Sequence, residues 1–341
     1  MRPVFALAVG LALTPLCAVA EDQSGAQLLD TIQRQVTELF EKSRGAVVRI
    51  EGTDSDGRLF GTGFFIDPTG TLYTSYSVGG ETHDLVVIQG AAKHPARRLV
   101  ADARTGIAIL KVETQTPFLT FGNSRELRTA SPVLAIGYPM DLSITPSFGI
   151  VGGFDIRHLG RCFATAHIRA NVPVQRGEGG APLLNMKGEV VGVLISSIDN
   201  GSASFVLPIE AAEKVRSDFV RFDAVRPGWI GIAVAPSDPA HPDTTPPVIQ
   251  GVVEDSPGAK SGLRLGDVVT RLGTRLVATE DDVLSASFFL TALEDVSIAV
   301  LREGQRLEMT VRPVDHPQFQ RPQPAVLGAN DLRLQATELN Q

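Results

Sequence analysis

Six histidines, His83, His94, His158, His167, His241 and His316, are the only imidazoles from which this chain could draw a general base. Nucleophilic hydrolysis would need one of them beside a hydroxyl or thiol, with a carboxylate to fix the imidazole tautomer. Four of the six sit beside turn-rich or polar stretches, where a solvated surface position is the ordinary reading. Ser77 and the pair Ser196-Ser197 offer hydroxyls, but a hydroxyl with neither base nor orienter is a weak nucleophile. A glycine-rich run, Gly177-Glu178-Gly179-Gly180-Ala181-Pro182-Leu183, follows Gln175-Arg176 and so carries two opposite charges. Asp54-Ser55-Asp56-Gly57 opens like a calcium loop, yet Phe65 stands where the chelating Glu belongs, which leaves a hairpin turn. No His/Cys cluster has zinc spacing, and no glycine-rich loop carries a phosphate-binding lysine. Neither a metal nor a cofactor is implied.

These residues must be held by short strands. Val47–Ile50, Gly63–Ile66, Leu85–Ile88, Ile107–Leu110, Val133–Ile136, Phe148–Val151, Val190–Ile195 and Ser204–Leu207 are β-rich runs separated by turn formers. Many strands at this spacing without intervening helices predict antiparallel barrels. Before them, Leu28, Leu29, Ile32, Val36, Leu39 and Phe40 recur at helical spacing, which predicts an amphipathic helix over Gln27–Lys42. A second helix is predicted over Glu210–Phe222, leading to a junction at Val225-Arg226-Pro227.

The chain of 341 residues has room for two cores. Its net charge of -7 argues against nucleic acid or an anionic membrane as partner. Residues 1–20 read as a secretory signal, with Arg2 ahead of an apolar stretch and Ala18-Val19-Ala20 as a small-x-small cleavage site. Cleavage after Ala20 would leave Cys162 as the one cysteine, with no internal disulfide to make; it reads as a small, semi-buried apolar residue. Residues 315–341 are polar and proline-rich and read as a disordered tail.

Several stretches resemble one family in order and spacing. Gly177–Leu183 resembles the Gly-x-Ser-Gly-Gly-Pro-Leu nucleophile loop of chymotrypsin-like serine proteases, with Gly179 in the serine slot. Leu72–Val78 resembles the strand end that presents the catalytic histidine, with Ser77 in its slot. Asp102–Lys111 resembles the segment of the orienting Asp, with Gly106 in its slot. Gly61–Gly70, Phe121–Ser124, Val133–Pro139 and Ser147–Val151 resemble the HtrA (high-temperature-requirement) proteases in the same order. The resemblance covers residues 44–222. It implies a mainly β fold, a chymotrypsin-like double six-stranded antiparallel β-barrel with the slots in the cleft between barrels. It also implies an oxyanion hole from the Gly177 and Gly179 N–H groups, and an opening beside Ser196 and Ser197 that serves as specificity pocket. None of the histidines falls in the family slot.

Residues 227–314 extend the resemblance to a PDZ domain (α+β). Gly228-Trp229-Ile230-Gly231-Ile232 resembles its carboxylate-binding loop, and Glu254–Val269 its Gly-Leu-x-x-Gly-Asp segment. A helix from about Thr279 to Ala292 follows, with Val283, Leu284, Phe288 and Phe289 offering one stripe for the core and another for the peptide groove.

The expectation is a pseudoprotease exported to the periplasm, since glycine can supply neither nucleophile nor orienter. Its work would be binding C-terminal or unfolded polypeptide segments, as a chaperone-like holder or as an adaptor or regulator of active HtrA-type proteases. The alternatives are a residually active endopeptidase, and a structural partner of active family members. By resemblance the assembly is a homo-oligomer, a trimer built through the N-terminal segment 21–43.

Overall fold

The computed structural model describes residues 22–158, 161–198, 201–242 and 244–316; the signal at 1–20 and residues 317–341 lie outside the described residues. Helix α1 (Asp22–Ser43) begins earlier than its apolar stripe predicted. Among its described side chains the second half is covered: Leu39 is buried in a barrel cluster and Val36 and Phe40 pack on it, whereas Leu29 stays exposed.

The first unit contains β1 (Val47–Asp54), β2 (Gly57–Phe65), β3 (Thr71–Ser75), the one-turn α2 (Tyr76–Gly79) and β4 (His83–Gln89). It closes with β5 (Ala92–Pro95), β6 (Arg97–Asp102) and β7 (Ile107–Lys111). These strands form one antiparallel path, β5-β4-β1-β2-β3-β7-β6, so the unit has seven strands where six were expected. The extra one arises because β4 doubles back on itself as a hairpin, Gln89 pairing with Ala92.

The second unit is a closed six-stranded barrel. Its strands are β8 (Pro132–Gly137), β9 (Thr145–His158), β10 (Arg161–Asn171), β11 (Pro182–Leu184), β12 (Val190–Ile198) and β13 (Ala203–Pro208). Period-two alternation divides its apolar residues. Val133, Ala135, Leu183 and Val191 fill the barrel interior, while Leu134, Ile136, Leu184 and Val190 face outward. The outward set joins Phe64, Tyr73 and Ile107 of the first unit in one buried cluster, which fixes the two units against each other. Helix α3 (Ile209–Phe222) lays Ala211, Ala212 and Val215 on the same cluster.

The third unit holds β14 (Gly228–Trp229), β15 (Ile232–Pro236), β16 (Pro247–Val252), the short α4 (Pro257–Lys260), β17 (Val268–Leu272) and β18 (Arg275–Leu276). Helix α5 (Glu280–Ser287), β19 (Val296–Arg302), β20 (Gln305–Val311) and β21 (Val314–Asp315) complete it. The sheet order β15-β16-β17-β19-β20 makes β15 and β20 its two edges. Since Asp315 pairs with Gly228, the ordered domain runs past the boundary expected at Val314.

Helix α5 is shorter than its apolar pattern predicted. Thr279 and Asp282 cap its start reciprocally, and it stops at Ser287. Phe288 and Phe289 leave the helix and pack edge to face, 5.1 Å apart, on the cluster shared by the barrels. The second stripe therefore belongs to the seam between domains and not to a peptide groove. Arg275 lies 3.5 Å over the Phe289 ring, and burial pushes its guanidinium down to about 10.

Candidate functional site

The three positions singled out in the sequence converge where the barrels meet. Ser75 ends β3 opposite Ile107, the first residue of β7, and the Tyr76 N–H donates to the Gly106 carbonyl at 2.7 Å. Across the seam, a Cβ built on Gly179 would lie 2.9 Å from Ser75 Oγ and 3.6 Å from Ser77 Oγ. Those two hydroxyls are hydrogen-bonded to each other at 2.9 Å. Gly106 faces the second barrel: its Cβ would meet Ile195, in β12, at 3.3 Å.

The two glycines differ in what they would accept. Gly179 has no left-handed backbone, and the atom nearest its absent Cβ is a hydroxyl that can rotate aside. Gly106 has φ +73°, a region that L residues other than Asn and Asp seldom occupy. A side chain there would be aimed at Ile195.

The glycine-rich loop is tied down more tightly than its composition suggests. Thr62 Oγ1–H donates to the Gly177 carbonyl at 2.7 Å and accepts from the Tyr138 N–H at 3.0 Å. Met140 N–H donates to the Arg176 carbonyl at 2.6 Å, and Thr62 N–H to the Gly179 carbonyl at 3.1 Å. Glu178 is 3% exposed and accepts the Gln175 N–H at 2.7 Å. This corrects the pair of charges expected at the mouth: Arg176 is outside, but Glu178 turns inward. Burial pushes its carboxyl above the usual range, and the Gln175 N–H partly offsets that. The Gly177 and Gly179 N–H groups make no hydrogen bond within the protein among the described residues. Ser196 and Ser197 lie half-buried on β12, paired with Phe205 and Ser204.

No described contact links a histidine to these positions. His83 and His241 are exposed beside Asp84 and Asp238, His158 packs on Phe205, and His316 on Trp229. His167 is 1% exposed, with Nδ1–H directed at the Thr165 carbonyl, 2.7 Å away, and its ring 4.3 Å from Phe163. Burial pushes it down to about 4. Between there and the ordinary value near 6.5, the unfolded chain binds a proton that the folded one refuses. Stability is therefore expected to fall as pH drops through that window, by on the order of 3 kcal/mol. Urea unfolding of the wild type and His167→Gln at pH 7, 5.5 and 4 checks this: the wild type should lose more than the variant. Parallel losses would assign the effect to other groups.

On the third unit, Ile230 is buried in the core while Gly231 takes φ +77°. The Ile230 carbonyl accepts the Gly258 N–H at 2.7 Å, and the Gly231 carbonyl accepts the Val253 N–H at 2.9 Å. In a trans peptide the next N–H points opposite to the carbonyl, so Gly231 and Ile232 N–H both aim away from these partners. That is a ready cradle for a carboxylate at the head of edge strand β15. Gly228 and Trp229 instead form β14, paired with β21, and the Trp229 ring lies over Gly231 and Ser256. Helix α5, beside β15, is held on the second barrel. Arg157 bonds Asp281 at 2.9 Å, and the Thr165 and Ser285 hydroxyls meet at 2.9 Å.

Residues 61–193 match the trypsin-like peptidase domain family and residues 228–312 the PDZ domain family. A protein of Halomonas elongata named "Probable periplasmic serine endoprotease DegP-like" is 29% identical over 283 residues, 80% of this chain and 60% of its own length. One of the same name from Chlamydia pneumoniae is 27% identical over 287 residues, covering 80% of this chain and 59% of its own length. The chain is homologous to the DegP/HtrA proteins. Its matches span about 60% of the length of these relatives. Among solved structures, "HtrA-type protease AlgW with tripeptide" superposes with TM-score 0.67 at 24% identity, over 83% of this chain and 97% of the other. A serine endoprotease from Yersinia pestis gives 0.58 at 21%, over 82% and 98%. These two establish the shared fold: a mainly β, chymotrypsin-like domain followed by a PDZ domain. The relatives are named periplasmic, and no helix among the described residues is long and apolar enough to cross a membrane.

Proposed function

We propose that this HtrA homologue is a pseudoprotease of the periplasm that binds polypeptides, as a chaperone-like holder or as an adaptor or regulator in envelope protein quality control. The observation that carries the reading is the pair of glycines at the barrel seam. Gly179 offers no nucleophile, and Gly106 has a left-handed backbone from which a carboxylate would run into Ile195. Ser77 keeps a hydroxyl but has no imidazole beside it. The competing reading, a serine endopeptidase with residual activity, has in its favour the names of the relatives and the unengaged Gly177 and Gly179 N–H groups. The two separate on an unfolded casein-type client: the pseudoprotease suppresses its aggregation and leaves it intact, and fragments would reject the reading.

The binding site in this proposal is the PDZ edge. An apolar-ended peptide adds a strand to β15, and the Gly231 and Ile232 N–H groups take its terminal carboxylate. A labelled peptide with a free C-terminus should raise fluorescence anisotropy saturably when titrated with the protein. Amidating the terminus should weaken binding at least tenfold, about 1.4 kcal/mol. Equal affinities for the two forms would show that the loop captures no carboxylate.

A further inference from the structure

Helix α5 has one side that neither the PDZ core nor the barrel takes up. Val283 and Ala286 are buried in the PDZ core. Asp281 and Ser285, four residues apart on one face, bond to Arg157 and Thr165 of the second barrel. Asp282 turns back to the Ala278 and Thr279 N–H groups, 2.9 Å from each, on the side of the preceding β18. What remains is Glu280, Leu284 and Ser287, whose spacings of four and three stack them along a single face. Because Asp282 marks the β18 side, this face lies towards β15, on which the helix also packs. Leu284 is half-buried there and belongs to no core cluster among the described residues. It is therefore a groove residue, and Glu280 stands one turn before it.

The direction of α5 fixes what a ligand meets. Just beyond the helix, the Leu290 carbonyl accepts the Gly228 N–H at 2.9 Å, so the C-terminal end of α5 stands beside the carboxylate cradle. Glu280, in the first turn, then lies at the far end of the groove, towards which β15 runs from Ile232 to Pro236. Side chains alternate along an added strand, so the ligand's last residue and the one two before it face α5 together, about 6.8 Å apart. Leu284 and Glu280, four residues apart on a helix, are separated by about 6 Å along the same direction. The last side chain is thus matched to Leu284 and Ser287, and the last but two to Glu280. The charge at that end is not balanced. Asp281 Oδ1 takes Arg157 Nε at 3.0 Å and Nη2 at 2.9 Å, whereas Glu280 comes no nearer than 3.7 Å to the same guanidinium and makes no hydrogen bond among the described residues. Two carboxylates share one cation, which leaves one negative charge over. On the reading of β15 as the peptide edge, we infer that Glu280 selects ligands with a lysine or arginine at the last position but two before a free C-terminus.

The experiment titrates the full chain into three labelled peptides that share an apolar, free C-terminal residue and differ only at the last position but two, which is Lys, Ala or Glu. Anisotropy should rank them in that order, Lys over Ala by about threefold and Lys over Glu by about tenfold. The preference should fade at about 1 M salt, where charges are screened within about 3 Å. In Glu280→Gln the three affinities should converge, and in Glu280→Lys the order should reverse. Each protein serves as its own control, because the readout is a ratio of affinities and not an affinity. Equal binding of the three peptides to the wild type overturns the assignment, and so does a preference that persists in Glu280→Gln. Loss of all three peptides in Glu280→Lys leaves Glu280→Gln to decide. Failure of the wild type to bind any of them would instead reject β15 as the peptide edge, and this assignment with it, so the two failures are distinguishable.

Discussion

Gly179→Ser is expected to fold normally and to show no peptidase activity. The position has an ordinary backbone, and only the Ser75 hydroxyl must yield to the new Cβ. A serine installed there meets Ser75 and Ser77, neither of which can take its proton. Removing a complete triad costs about 10⁶-fold in kcat, and its members fail together, so restoring one recovers nothing measurable. Adding Ser77→His supplies a base but no orienter, which alone holds a protease about 10⁴-fold below full rate. Gly106→Asp is the hard step, since the left-handed backbone points its carboxylate at Ile195. Casein hydrolysis and single-site fluorophosphonate labelling measure the outcome. Labelling of the wild type that disappears on heat unfolding would refute the reading of the site as non-catalytic.

The largest stability effect is expected at Asp218. It is 1% exposed and accepts from Lys214 Nζ at 2.5 Å, from the Arg226 N–H at 3.0 Å and from Thr291 Oγ1 at 3.2 Å. One carboxylate thereby joins α3, the interdomain linker and the PDZ domain. Lys214 is itself largely withdrawn from solvent, which pushes its ammonium below the usual range, and Asp218 is the partner that offsets this. Asp218→Ala leaves that cation unpaired and should cost about 3–5 kcal/mol. Lys214→Met added to it should recover much of the loss, because the orphaned charge goes with it. Chemical denaturation of the single and double variants measures this; a single-variant cost below about 1 kcal/mol would mean that the carboxylate does not hold the junction.

Local signals in the sequence read well where one element decides its own form. The helix α3 and the β-rich runs that became β8 and β12 were legible because local composition and the turn formers beside them act on each element directly. The convergence of Ser77, Gly106 and Gly179 was legible only through family resemblance, since it depends on strands far apart in the chain. What the sequence concealed was set by neighbours. Phe288 and Phe289 read as helix because their spacing fits one, yet the barrel seam draws them out of it. Glu178 read as a surface charge, but the free Gln175 N–H turned it inward. Trp229 read as part of a loop, and its pairing with Val314 made it a strand residue whose ring lies against Gly231. In each case the deciding contact lies outside the window in which a sequence pattern can be read.

The aromatic pair at the domain seam has a mechanical consequence. Phe288 and Phe289 belong by chain to the PDZ domain and by packing to the barrels, so the apparent linker at Arg226 is not a cutting point. An excised PDZ fragment would carry two uncovered rings and self-associate, while the excised barrels would keep a matching greasy socket. Pulled from its ends, the intact protein should yield as one body with a single force peak.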